Sequence, residues 1–305
     1  MSKKNKKDFL TLKDYNSKTI KCLLDIAGDV KSNPTKYSKT LEGKNIALLF
    51  DKHSTRTRLS FETGISQMGG NTIYLDANNL QLSRDETYAD TAKIFSLYLD
   101  AVVIRTFSHS TVEIFAGEGS IPVINGLTDA YHPCQVLSDL FTIKEAGLML
   151  PELKITYIGD SNNVTNSLMV GLSKLGIKLT IGSPSEYGPG QEIMKYIESI
   201  KGSNVSIVTD PIKAVEDADI IYTDVWISMG DAESDQKVKK LSGYQVSREL
   251  LSHAADEFII MHCLPAHRGE EITAEVLDGP NSIVLKQAEN RLYAQKALLV
   301  HIFGS

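Results

Sequence analysis

Short runs of apolar, mostly β-branched residues alternate along the chain with longer stretches whose apolar positions recur every three or four residues. That alternation is the pattern of parallel strands joined by crossover helices. The candidate strands fall into two groups: residues 45–50, 71–75, 101–104 and 121–123, then residues 155–159, 177–182, 205–208, 220–223 and 258–261. The expected fold class is therefore α/β, with two domains, each a parallel sheet flanked by helices. Between the groups, Val136, Leu137, Leu140, Phe141 and Ile143 have the spacing of an amphipathic helix with Pro133 in its first turn, read as a hinge helix joining the domains. Residues 285–302 are again helical in pattern, with Ala288, Leu292, Ala297, Leu298 and Leu299 on or near one face. Such a C-terminal helix needs a surface to cover, and it is expected to return to the first domain. The expected domains are thus residues 1–145 with 286–305, and residues 146–285. The polar stretch 229–240 reads as an exposed loop.

Length agrees with two domains, since 305 residues is about twice the usual single-domain size. A net charge of -6 supplies no overall basic excess, which argues against nonspecific binding to nucleic acid or anionic membrane and makes any anion site a local one. Cys22, Cys134 and Cys263 match neither a metal-ligand pair nor a disulfide framework. A reducing, cytoplasmic setting is expected. Lys3, Lys4, Lys6 and Lys7 are not followed by an apolar run and read as a solvated tail, and no apolar run approaches the length of a membrane span.

Local chemistry concentrates at strand ends. The first strand runs into Asp51-Lys52-His53-Ser54-Thr55-Arg56-Thr57-Arg58 and then a helical stretch. Hydroxyls at a helix start are common caps, but with free backbone N–H groups and Arg56 they also make a phosphate cradle, without the glycines of a P-loop. Arginine supplies a full charge and paired donors, against roughly half a charge from the helix end. Arg105 follows a strand at the carboxyl end, where open α/β sheets place ligands, and His132-Pro133-Cys134-Gln135 lies at a helix start. Each has an ordinary structural explanation alone; together they suggest one anion site.

In the second group, Gly159-Asp160-Ser161-Asn162-Asn163 has one glycine where a dinucleotide fingerprint wants three, so nicotinamide binding is poorly supported. Asn162 and Asn163 serve equally as turn formers or as holders of a small polar molecule. Asp224-Val225-Trp226 follows another strand, and His262-Cys263-Leu264-Pro265 another. His262 and His267 lie five positions apart across a proline with no third ligand evident, so no metal is expected. Cys263 is either a small buried hydrophobe or a reactive thiol.

Ser54-Thr55-Arg56-Thr57-Arg58 and His132-Pro133-Cys134-Gln135 resemble the two anion-binding motifs of the aspartate/ornithine carbamoyltransferase family. Asp224 with Ser228-Met229-Gly230, and His262-Cys263-Leu264-Pro265, resemble the branch that takes ornithine. The resemblance runs from Leu10 to the final helix. It implies transfer of the carbamoyl group of carbamoyl phosphate to the δ-amine of L-ornithine, giving citrulline and phosphate in arginine metabolism, with no cofactor and no metal. It implies that Ser54, Thr55, Arg56, Thr57, Arg105, His132, Pro133, Cys134, Gln135 and Arg291 hold carbamoyl phosphate, with Cys263 and Leu264 closing on its amide side. Gln81 would come from a neighbouring subunit, which implies a homotrimer or a multiple of one. Asn163, Asp224, Ser228 and Met229 would hold the amino acid, and Cys263, Arg105, His132 and Asp224 would carry the chemistry. His53 and Ser138 depart from the family pattern without touching a named role. A carbamoyltransferase for another amine, a noncatalytic anion-binding protein and a dehydrogenase are the competing functions.

Overall fold

The structure, a computed structural model, describes residues 6–80, 86–148, 152–227 and 235–304. They form two compact units, residues 1–141 with 290–305 and residues 142–289.

In the first unit, helix α1 (Ser17–Ser32) precedes β1 (Asn45–Phe50), α2 (Thr55–Gln67), β2 (Asn71–Asp76), α3 (Tyr88–Tyr98), β3 (Ala101–Arg105), α4 (His109–Glu118), β4 (Val123–Leu127) and the start of α5 (Pro133–Glu145). The strands form one parallel sheet in the order β2-β1-β3-β4. Its central strands β1 and β3 are apolar and buried over residues 46–50 and 101–104, the pattern of strands covered on both faces. Edge strand β2 alternates in exposure. Side chains set the helix starts: Asn16, Ser54 and Thr87 each accept a backbone N–H from the first turn of α1, α2 and α3.

The second unit holds β5 (Lys154–Ile158), α6 (Asn163–Leu175), β6 (Lys178–Gly182), α7 (Gln191–Ser199), β7 (Val205–Val208), α8 (Pro211–Val215), β8 (Ile220–Thr223), α9 (Asp235–Leu241), α10 (Arg248–Leu251), β9 (Ile259–His262) and α11 (Ala274–Leu277). Its parallel sheet has the order β7-β6-β5-β8-β9. Helix α6 opens on a reciprocal cap between Asn162 and Thr165 and stops at Gly176, whose φ of 73° is the left-handed conformation that ends helices. The last helix, α12 (Val284–Phe303), belongs from Asn290 onward to the first unit. There Ala294, Ala297, Leu298 and Leu299 are buried, and Lys296 Nζ donates to Gln67 Oε1 of α2 at 3.0 Å.

The fold is the expected one, with two local corrections. The strand expected at 121–123 instead spans Val123–Leu127, because the pairing register with β3 skips Gly126 at a bulge. The Asn125-Gly126 pair looks like a turn in sequence, yet a side chain at Gly126 would sit 3.2 Å from the Ile104 carbonyl oxygen. The polar stretch 229–240 contains a helix, α9, in its second half; its first half lies outside the described residues. Ion pairs Lys237–Asp160 at 2.8 Å and Lys240–Glu186 at 2.7 Å anchor α9, so apolar periodicity carried little trace of it.

Gly182 ends β6 where a Cβ would meet Ile158 Cδ1 at 2.5 Å and Ala214 Cβ at 2.7 Å. Gly182→Ala should therefore destabilise the protein by about 1–3 kcal/mol, read as a lower urea midpoint at unchanged m-value.

Candidate active site

Both sheets reverse direction of strand addition once, between β1 and β3 in the first and between β5 and β8 in the second. Adjacent loops diverge at such a point and leave a crevice at the carboxyl ends of the strands. Loops and helix starts at or near these two places carry several of the residues singled out from sequence.

At the first, Ser54 caps α2 by accepting the Thr57 N–H at 3.2 Å. Thr57 is buried, and its Oγ1 accepts from Arg291 Nη2 at 2.7 Å. Arg291 Nη1 donates to Gln135 Oε1 at 2.6 Å, so one buried guanidinium spans the first turns of α2 and α5. Gln135 Nε2 in turn donates to Asp139 Oδ1 at 2.9 Å. Arg105 ends β3 and is buried. His132, also buried, is held well below its usual pKa by burial and then by the positive charges of Arg291 and Arg105. The imidazole is therefore neutral near pH 7, and both arginines lie close enough to repel its proton. The arrangement is a set of converging donors suited to a polyanion.

The other members of these motifs are less buried or already engaged. Thr55 is exposed and Arg56 half-buried, while Pro133 opens α5. The Cys134 thiol donates to the Asn125 carbonyl at 3.3 Å, and burial pushes its pKa to about 12, which leaves its backbone as the part available to a ligand. Lys52 is committed to Asp129 and the face of Phe107, and Arg58 to Glu62 and Tyr74. Gln81, Ser228, Met229 and Gly230 lie outside the described residues.

At the second place, Asp224 follows β8 and is buried. Its Oδ2 accepts from Asn162 Nδ2 at 2.7 Å; its Oδ1 accepts from Cys263 Sγ and from Val225 N, each at 2.9 Å. Half-buried Asn163 opens α6 beside this carboxylate's partner Asn162. His262 accepts the Leu264 N–H at Nδ1, 2.9 Å, which puts its own proton on Nε2, 3.1 Å from the buried Glu271. Leu264 has a φ of 57°, a left-handed backbone unusual for a branched residue, and this N–H bond holds it there. Gln287 completes the support by accepting the His262 N–H and donating to the Tyr222 hydroxyl.

Sequence reasoning missed Asp139, Glu271 and Gln287. A charged residue amid the apolar stripe of α5, four positions after Gln135, was the one available signal for Asp139. It also saw no third metal-type ligand, whereas Asp224, His262 and Cys263 offer ligand atoms within 4.8 Å of one another, as do His267, Glu270 and Glu271. Both ring nitrogens of His262 are already engaged in hydrogen bonds, so it offers an ion no unused lone pair.

Each unit, taken by itself, thus carries a polar cluster at the carboxyl ends of its strands: cationic and amide donors in the first, and a carboxylate, amide and thiol in the second. The chain belongs to the aspartate/ornithine carbamoyltransferase family, whose carbamoyl-P binding domain matches residues 7–145 and whose Asp/Orn binding domain matches residues 151–302. It is 52% identical over 297 residues to the ornithine carbamoyltransferase of Bacillus subtilis (strain 168), covering 96% of this chain and 92% of that one. Its structure is similar to ornithine carbamoyltransferase from Pyrococcus furiosus, with a TM-score of 0.93 and 45% identity over 98% of this chain and 97% of that one. It is also similar to anabolic ornithine carbamoyltransferase from Campylobacter jejuni subsp. jejuni NCTC 11168, with a TM-score of 0.92, 39% identity and 97% and 98% coverage.

Because folded His132 resists protonation while the unfolded chain titrates near the usual 6.5, the unfolded state binds more protons below that pH. Stability should hold above about pH 6.5 and fall as pH drops below it, with a slope of at most about 1.4 kcal/mol per pH unit per histidine. His109 and His301 are depressed by burial too and add to the slope. Urea unfolding between pH 5 and 8 should show a shallower decline for His132→Asn than for the wild type.

Proposed function

We propose that this chain transfers the carbamoyl group of carbamoyl phosphate to the δ-amine of L-ornithine, giving L-citrulline and phosphate, as a step of arginine metabolism. The observation that carries the reading is the single guanidinium of Arg291 bridging Thr57 and Gln135 beside Arg105 and His132. In this assignment residues 1–145 with 286–305 hold carbamoyl phosphate, and residues 146–285 hold ornithine.

Attack of an amine on the carbamoyl carbon gives a tetrahedral intermediate whose oxygen becomes negative, and phosphate then leaves with the electron pair of the C–O bond. Arg105 donates to the developing oxyanion with full charge. His132, neutral by burial, serves as an N–H dipole and so contributes less. Arg291, Arg56, Ser54, Thr55, Thr57 and the backbone N–H groups of the first turn of α2 receive the departing phosphate.

The nucleophile has to be the neutral amine, which at pKa ~10.4 is about one part in two thousand of the total at pH 7. Cys263 is the proton acceptor in this proposal, and the Sγ to Asp224 bond supports it: sulfur takes the amine proton as its own proton passes to the carboxylate. Asn163, Asp224, Ser228 and Met229 bind the amino acid, and Cys263 and Leu264 close on the amide side of carbamoyl phosphate. A homotrimer in which Gln81 reaches a neighbouring subunit is part of the proposal. The exposed Ile94, Leu97 and Tyr98 of α3 support it, being an apolar patch of the kind that interfaces cover. Among the described residues no helix is long and apolar enough to cross a membrane, and the proposed setting is the cytoplasm.

Purified protein given carbamoyl phosphate and ornithine should release citrulline and phosphate in equal amounts; absence of citrulline would overturn the reading. Arg105→Gln should lower kcat by about a hundredfold to a thousandfold, the worth of one charged oxyanion donor, and His132→Asn by less. Cys263→Ser should flatten and displace the alkaline limb of the pH–rate profile, whereas an unchanged profile would remove the thiol from proton transfer.

A further inference from the structure

Asp139 is fully buried in α5 between Leu137 and Leu140, one turn beyond Gln135. A carboxylate in such a place is expensive to desolvate, which calls for a reason beyond packing. Its Oδ1 receives the Gln135 amide at 2.9 Å. The end of the glutamine amide that meets this oxygen is the NH2, with Nε2 as the donor. A guanidinium has no lone pair to offer, so the end that meets Arg291 Nη1, at 2.6 Å, is the oxygen. The two partners impose the same orientation from opposite sides.

That orientation matters because the neighbouring groups are mostly donors. Arg105 and Arg291 can only donate, and Thr57 Oγ1 already accepts from Arg291, leaving its hydroxyl proton to give. Such a set meets phosphate oxygens and a carbonyl oxygen well, and offers little to a ligand N–H. Gln135 Oε1 is the exception: an amide oxygen accepts twice, and Arg291 uses one of its two sites. We propose that Asp139 is a positioning residue that keeps the Gln135 carbonyl oxygen toward the ligand, so that the cluster distinguishes a carbamoyl NH2 from a methyl group of the same size. Acetyl phosphate and carbamoyl phosphate share the phosphate and the carbonyl, and the donors alone cannot separate them. This inference rests on carbamoyl phosphate being the ligand of the first unit.

The test compares Asp139→Ala, which removes the acceptor, with Asp139→Asn, whose amide oxygen can still accept from Gln135. Three quantities are read: kcat/KM for carbamoyl phosphate, and the inhibition constants of inorganic phosphate and of acetyl phosphate as competitors of it. The alanine variant should lose about ten- to a hundredfold in kcat/KM while both inhibition constants stay within about twofold, and the asparagine variant should stay within about threefold of wild type throughout. Unchanged kcat/KM in the alanine variant, equal weakening of all three ligands, or an asparagine variant as impaired as alanine overturns the proposal. Should the alanine variant not fold, a crystal structure of the wild type with carbamoyl phosphate decides. The carbamoyl nitrogen at hydrogen-bond distance from Gln135 Oε1 supports the proposal, and the carbamoyl oxygen in that position overturns it. Failure of the wild type to form citrulline would instead strike the underlying assignment, and the same assay separates the two.

Discussion

Two arginines held beside one buried, uncharged imidazole are the constraint on which the first unit is organised. Burial removes the imidazole from water and the two like charges beside it repel its proton, in that order of importance, and together they depress the basicity of His132. Such an arrangement is expensive for the folded chain unless an anion is to be met there, because the donors are already oriented and need no further ordering when one arrives. The sheet explains how the arrangement is tolerated. Strand β3 delivers Arg105 at its carboxyl end, α2 and α5 begin on either side, and α12 brings Arg291 to bridge their first turns.

The second unit solves a different problem with a similar scaffold. Its sheet also changes direction beside its first strand, but the loops there carry a carboxylate, amides and a thiol rather than arginines. Asp224 is tied to three donors, so its orientation is set before any substrate is present. Behind it, Glu271 and Gln287 brace His262, and His262 braces the backbone of Leu264. The carboxylate and thiol cluster is therefore flanked by a second layer of buried polar contacts, which restricts the loop at the strand end.

Much of this was legible in the sequence, for physical reasons that differ from part to part. Fully buried parallel strands announce themselves as apolar runs, and α5 and α12 as periodic stripes, so the sheets and both helices could be placed before the structure. Strand β4 was read short because Asn125 and Gly126 interrupt its apolar run, while the bulge opposite β3 is decided by pairing with another strand. Helix α9 escaped because charged side chains anchor it. In the site, Arg105, His132, Gln135 and Asp224 were visible through their positions at element ends. Asp139 and Glu271 were not, since they act on other side chains across the fold or across a turn, and a linear pattern holds no record of which buried carboxylate faces which partner. The Cys134 thiol was visible in a motif, yet its side chain points to a strand carbonyl.

The guanidinium that joins Thr57 to Gln135 comes from α12, the last element of the chain. A growing polypeptide on the ribosome thus possesses every strand of the first unit long before it acquires this bridge. That bridge forms only when residue 291 has cleared the exit tunnel and docked, so a polypeptide that stops short of it leaves the first turns of α2 and α5 unjoined.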